Sequence, residues 1–550
     1  MNHRIAWPQQ LTRRLSPMFI PALRQAIAGR AGQKAAPAHR SFMFAELAVY
    51  SSLILTISGV FLMFFFEPSM QTVRYTGPHA PLKGAQMSGA LDPTLHVTFE
   101  VRGGLLMRQV HHWSALLFMA GLVLHMLCSF FTGAFRRPRR TAWVMLVLTF
   151  ITGLGLGLTG YTLPDNMLSG LSLAILDGTV KSVRFIESAL SSFAFGGAFP
   201  GEVIIGRLYT LHVLILPLLA AGLDAAQLLL TFVHKHTRFP APGRTNSNVV
   251  GEPLLPTRGA KSGGFLLAVA GLTVLTAATM TINPVWLYGP ADPGNATADA
   301  QPDWYFGFIV GALRLIPPGW ELQWLGGTWP LAMLVPIALV GPFFAVVLAY
   351  PFLEGWLTND VRQHHLLERP RNNPTRTAIG VAGMTFVGGL WGAGSADVAA
   401  LQLSLSLESV IYFFRFMTLL GPFVAFAVTR RICLALQRKD REVVLHGVET
   451  GRIVRLPNGE FIEVHQPLDR FDRWRLLDFD PAAATAPIGA TDRPVSRVGR
   501  LRTSLSHWFF EYRLHPVTPA DLAGGPVKEP SAPEDQEDRR RAGRTDDKAA

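Results

Sequence analysis

At 550 residues, 49% hydrophobic and only 16% charged, with a mean hydropathy of +0.27, the chain is too apolar for a soluble multidomain protein. Its formal charge of +12 would suit a nucleic-acid binder, but the basic residues gather in alternate connections between apolar runs, which is a membrane-topology signal. No nucleic acid is expected as a partner.

In chain order, residues 1–43 form a basic arm mixing apolar and cationic side chains (IAWPQQLTRRLSPMFIPALRQAIAGR). It suits a helix lying in the cytoplasmic interface, with a disordered arm as the alternative. Eight runs long enough to cross a bilayer follow, near residues 44–66, 106–131, 142–163, 208–233, 264–287, 328–352, 377–394 and 408–429. Arg136, Arg137, Arg139 and Arg140 crowd the connection after the second run. Lys235, Arg238, Arg244, Arg258 and Lys261 follow the fourth, and Arg362, Arg369, Arg371 and Arg376 the sixth. By contrast, Arg314 is the only basic residue between 284 and 327. Basic loops stay on the cytoplasmic side, so eight crossings leave both termini cytoplasmic in a multi-pass protein of the cell membrane. The expected fold class is all-α, with a four-helix bundle over 44–262 and a second four-span region over 263–430. A hydrophilic tail over 431–550 completes the chain; its last part has the composition of disorder. Within it, GRIVRLPNGEFIEVHQPL alternates like a hairpin around Pro457-Asn458-Gly459.

The second run, GGLLMRQVHHWSALLFMAGLVLHMLCSFFTG, carries His111 and His125 fourteen residues apart. That spacing is about 21 Å of helix rise and nearly four turns, so both rings leave one face. The fourth run carries His212 near its outer end, level with His111. One histidine in an apolar helix is most simply a hydrogen-bonded core residue. Two in register, facing a third, make the geometry for haem stacked between two helices, one near each side of the membrane. No CxxCH motif exists, so such a haem is held by ligation alone. His112 points about 100° away and reads as a packing or hydrogen-bonding residue. The third run holds Gly153, Gly155, Gly157 and Gly160, which either pack helices closely or let a porphyrin approach the backbone. Between the fifth and sixth runs, QPDWYFGFIVGALRLIPPGW contains an apolar stretch too short to span, expected as a helix dipping into the outer interface.

Several separate motifs occur in order between about residues 40 and 470: LMRQVHHWSA with a histidine fourteen further on, TGAFRRPR, GYTLPD, RLYTLH and PDWY. On these the chain resembles the cytochrome b subunit of quinol:cytochrome c oxidoreductases, the bc1 and b6f complexes, in its long actinobacterial form. The resemblance implies that His111 and His212 sandwich an outer, lower-potential haem b beside Gly160, and that His125 with a residue of the fourth run holds an inner haem. Arg108, three residues before His111, would pair with a haem propionate, because a buried anion needs a partner. Asp303 and Tyr305 of PDWY, with GYTLPD, would line the site of quinol oxidation, Asp303 taking a proton as general base. The implied function is quinol oxidation at the outer face with electrons passed through haem b, coupled to proton translocation. A Rieske-type iron–sulfur subunit and a cytochrome c subunit are implied partners, since this chain lacks the cysteines for either centre. A terminal oxidase downstream and a dimeric complex are implied as well.

The fourth run departs from that pattern. Fourteen residues past His212 stands Ala226, fifteen past it Gln227, and no histidine follows until His234 and His236. His234 lies about 10 Å further along a straight helix than Gln227. Three arrangements stay open: a five-coordinate or Gln227-ligated inner haem, no inner haem, or a local shift recruiting His234. Asp224, one turn before Gln227, is an intramembrane acid of the kind that faces a cavity or pathway. A second function therefore stays in view, a degenerate cytochrome b acting as a one-haem or haem-free scaffold.

Overall fold

The computed structural model describes residues 35–36, 39, 43–292, 294, 301–476, 487–488, 496–514 and 517. The basic arm and the end of the tail lie almost wholly outside them. Among the described residues eight helices are long and apolar enough to cross a membrane, one for each run. They are α1 (Met43–Met63), α2 (Gly104–Phe131), α3 (Arg140–Thr162), α4 (Ile204–Thr231), α5 (Gly259–Thr279), α6 (Leu331–Thr358), α7 (Pro374–Gly394) and α8 (Leu407–His446). Two ends differ from the sequence expectation. The fifth helix stops at Thr279, where Met280 turns to extended backbone (φ −126°, ψ 99°). The eighth continues past residue 430 to His446, where Gly447 takes a left-handed φ of 92°.

Helix α1 lies along α2, and Gly121 makes the approach possible: a Cβ there would sit 2.8 Å from the Ala48 backbone nitrogen. Helix α4 lies along α3, and α5 backs α1 and α2. Phe118, Met119, Leu122, Leu146 and Phe150 form the apolar centre where α1, α2 and α3 meet. The remaining spans pair as α7 on α8, with α6 against α3.

At the arginine-poor end the connections are structured. Helices Met167–Lys181 and Glu187–Phe195 fill the 166–206 loop, as its helical composition predicts. Two hairpins, Thr72–Arg74 with Gln86–Ser88 and Glu321–Trp324 with Gly327–Pro330, were not predicted; strands of three or four residues are too short to show alternation. The tail hairpin around Pro457-Asn458-Gly459 forms as expected, from Val448–Arg455 and Phe461–Gln466. At the opposite end the loop arginines do more than mark topology. Arg376, 2% exposed, donates to Glu354 (2.8 and 2.5 Å) and to Glu368 (2.7 Å), while Arg136 donates to Glu368 (2.7 Å). The network ties the α2–α3 loop to α6, α7 and the segment between them.

Candidate functional site

His111 and His212 meet across the bundle at the arginine-poor end. Their ring centroids are 6.2 Å apart with the planes inclined by 70°. An iron placed between two imidazoles, about 2.0 Å from each nitrogen, separates the centroids by about 6 Å. The tautomers suit that task. The His111 Nδ1 lies 2.9 Å from the Ser58 hydroxyl, whose own proton goes to the Ile54 carbonyl at 2.7 Å. The hydroxyl therefore accepts from Nδ1–H. His212 Nδ1 lies 3.1 Å from the Leu156 carbonyl, which can only accept, and 3.1 Å from Thr159 Oγ1, which donates onward to Gly155 O at 2.8 Å. Both rings thus carry the proton on Nδ1 and leave Nε2 bare, the outer-shell arrangement that orients a metal-binding imidazole.

The backbone makes room for the pair. At Gly160 a Cβ would fall 2.5 Å from His212 Cε1, and at Gly59 3.2 Å from His111 Cε1. The other glycines of α3 serve different neighbours: Gly153 meets Met119, Gly155 meets Leu216, and Gly157 meets the Tyr305 ring. A π turn at Leu211–Ile215 carries His212. Its wide turn absorbs Pro217, which has no N–H to donate and whose ring would crowd the Val213 carbonyl in a regular helix.

Arg108 sits one turn above His111. Its NH1 reaches the Asn283 carbonyl at 3.4 Å and its guanidinium lies 5.6 Å from the Trp286 ring centroid. Its Nε and NH2 are buried with no hydrogen-bond partner among the described residues, two unmet donors that an anion could satisfy. Arg207 is occupied elsewhere, donating to Ala194 O at 3.2 Å over the Phe193 ring.

PDWY folds onto the same end. Asp303 opens the turn Trp304–Phe306, which runs into the short helix Gly307–Leu315. That helix is pinned to α7: a Cβ at Gly311 would be 1.7 Å from Leu390 O, and Trp391 Nε1 donates to Trp304 O at 2.8 Å. Arg314 clamps Asp397 with two bonds of 2.7 and 2.9 Å. Asp303 is thereby held where His112 Nε2 donates to Oδ1 (2.8 Å) and Tyr305 Oη to Oδ2 (2.9 Å). The carboxyl is 14% exposed. Nearby, burial pushes the Asp165 carboxyl of GYTLPD up to about 6. The sequence reading singled out Asp303, Tyr305, Arg108, Gly160, His111 and His212, and the fold gathers them around one end. Ser58 and Thr159 carry no signal in the sequence, because a hydroxyl bonded to its own helix is commonplace, and His112 reads there only as a packing or hydrogen-bonding residue.

His125 lies on the arginine-rich half of α2, with Gln227 and Asp224 on the arginine-rich half of α4, all partly buried. Asp224 accepts from Ser52 Oγ of α1 at 3.5 Å. His234 closes the helix with extended backbone, near Arg139.

Residues 116–290 match the family described as Cytochrome b(N-terminal)/b6/petB. The chain is 46% identical over 484 residues to a protein of Streptomyces coelicolor named cytochrome bc1 complex cytochrome b subunit, covering 87% of this chain and 88% of that one. A protein of the same name from Mycobacterium tuberculosis is 45% identical over 441 residues, 80% of each chain. A solved chain of a hyperthermophilic respiratory Complex III superposes with a TM-score of 0.51 at 21% identity, over 76% of this chain and 99% of that one.

Proposed function

This chain belongs to the cytochrome b subunits of bc1 complexes, and from that premise we propose that it oxidises quinol at its arginine-poor end, on the outer side of the bacterial cell membrane. As a respiratory-chain cytochrome b it is an electron-transport membrane protein that carries haem b within a multi-subunit complex. In this reading His111 and His212 hold the haem through Nε2, Ser58 and Thr159 keep both rings turned, and Arg108 receives a propionate. When bound, the haem supplies a one-electron acceptor beside the quinol. Asp303 takes one of the two quinol hydroxyl protons as general base and gives it up to outer water, and the other leaves to water as the second electron departs. Tyr305 and His112 fix the carboxylate so that it meets the hydroxyl without reorganising. The Rieske-type subunit takes the other electron and a cytochrome c subunit accepts from it; a terminal oxidase and a dimeric assembly complete the proposed setting.

The observation carrying this reading is that Asp303 is bonded to the residue next to His111, while His111 faces His212 at 6.2 Å. Quinol:cytochrome c reductase activity in membranes tests it: Asp303→Asn is expected to abolish turnover while the b-haem spectrum stays. Gln227 in the place of a ligand favours the scaffold reading instead, which requires quinol oxidation to be absent from the wild-type complex.

A further inference from the structure

The outer level offers an internal standard against which the inner level can be judged. Six residues build its cradle: His111 on α2, Ser58 and Gly59 on α1, Thr159 and Gly160 on α3, and His212 on α4. Fourteen residues is nearly four turns, so the same helix faces recur about 21 Å inward. On α1 those positions are Phe44 and Ala45, on α2 His125, and on α3 Met145 and Leu146. Helix α4 needs one residue more, because its π turn at Leu211–Ile215 inserts an extra residue into the winding. The residue in register with His212 is therefore Gln227, not Ala226.

Of the six, only the histidine of α2 is repeated. Phe44 has no acceptor and Met145 only a weakly accepting thioether, so these positions offer no hydroxyl to fix the His125 tautomer as Ser58 fixes that of His111. At Gly160 even one Cβ would come within 2.5 Å of the ligand ring, yet the equivalent residue is a full leucine. Leu146 is 2% exposed, in the apolar cluster that includes Leu122 and Phe150. Gln227 offers an amide oxygen, a hard and weak donor for haem iron compared with imidazole. One turn outward, Asp224 is bonded to Ser52, linking α4 to α1 between the two levels. His234 ends the helix in extended backbone and does not extend it toward His125.

We infer that this chain holds a single haem b, between His111 and His212, and that its inner haem site has been lost. The inference rests on the reading of the outer pair given above. It leaves the chain without a second haem between the outer level and the arginine-rich face. The test is to purify the complex from its own membranes, count b-type haem per chain as the pyridine haemochrome, and follow the b band through a redox titration. One haem titrating in one step is expected. Two haems, or two steps, overturn the inference and leave the outer site standing. No b-type haem overturns the outer reading too. In His125→Ala the count is expected to stay at one, and in His212→Ala to fall to none; loss in the first with retention in the second overturns the inference.

Discussion

His112 Nε2 donates to Asp303 Oδ1 across 2.8 Å, and His112 is the chain neighbour of His111. The proposed proton acceptor and the proposed haem ligand are thus anchored to adjacent residues of one helix, although 191 positions separate His112 from Asp303 in sequence. Removing the base should lower quinol oxidation by about 10²–10⁴-fold in Asp303→Asn. Losing only the hydrogen bond in His112→Ala should cost about fivefold, since a net hydrogen bond is worth about 1 kcal/mol. His112→Gln, which can still donate, should recover part of it. Steady-state turnover in membranes reads all three, and full activity in Asp303→Asn would remove Asp303 from the mechanism.

Ser58 and Thr159 orient the two imidazoles without touching iron. Ser58→Ala and Thr159→Val should each weaken haem retention by about 10–100-fold, the usual effect of deleting an outer-shell partner. The measurement is the b-band intensity per chain after graded detergent washing. A band as durable as wild type in both variants would show that the hydroxyls only cap their own helix.

Gly160 tests the cradle by shape alone. Gly160→Ala places a methyl 2.5 Å from His212 Cε1, closer than any real contact, so the ring must move. We expect the b band to be lost or shifted. Gly222, on the same helix as His212, has open space around its missing Cβ, so Gly222→Ala should leave the spectrum unchanged.

At the arginine-rich end Arg376 serves two carboxylates at 2% exposure. Arg376→Met strands Glu354, while Glu368 keeps Arg136, and breaking a buried pair from one side costs about 3–5 kcal/mol. Thermal unfolding in detergent should fall accordingly. Burial opposes ionisation of Glu368, but the Arg136 and Arg376 guanidiniums outweigh it and hold its carboxyl well below the usual carboxylate range. The unfolded value, about 4.3, is higher, so this contribution is complete above that pH and is lost as acid carries the solution down toward the folded value. Glu368→Gln should be less stable than wild type at neutral pH and lose less on acidification. An acid limb identical to wild type would exclude Glu368 as its source.

The sequence by itself determined the number of spans, their order and the alternation of basic loops, because each rests on local composition over a length the bilayer imposes. It also determined that His111 and His212 share a level, since helical rise converts residue counts into depth. The hairpins of the connections were not legible, being too short to carry a period. Nor was the partner of Asp303, or the hydroxyls behind the imidazoles, because such contacts join residues far apart in the chain and depend on how helices rotate against each other. The tertiary structure alone gave the reason Gln227 rather than Ala226 is in register with His212, a π turn whose extra residue leaves no mark in the hydropathy pattern. It alone showed that Gly160 faces His212 while Gly157, three residues earlier, faces Tyr305. Periodicity tells which side chains share a face; only packing tells what that face meets.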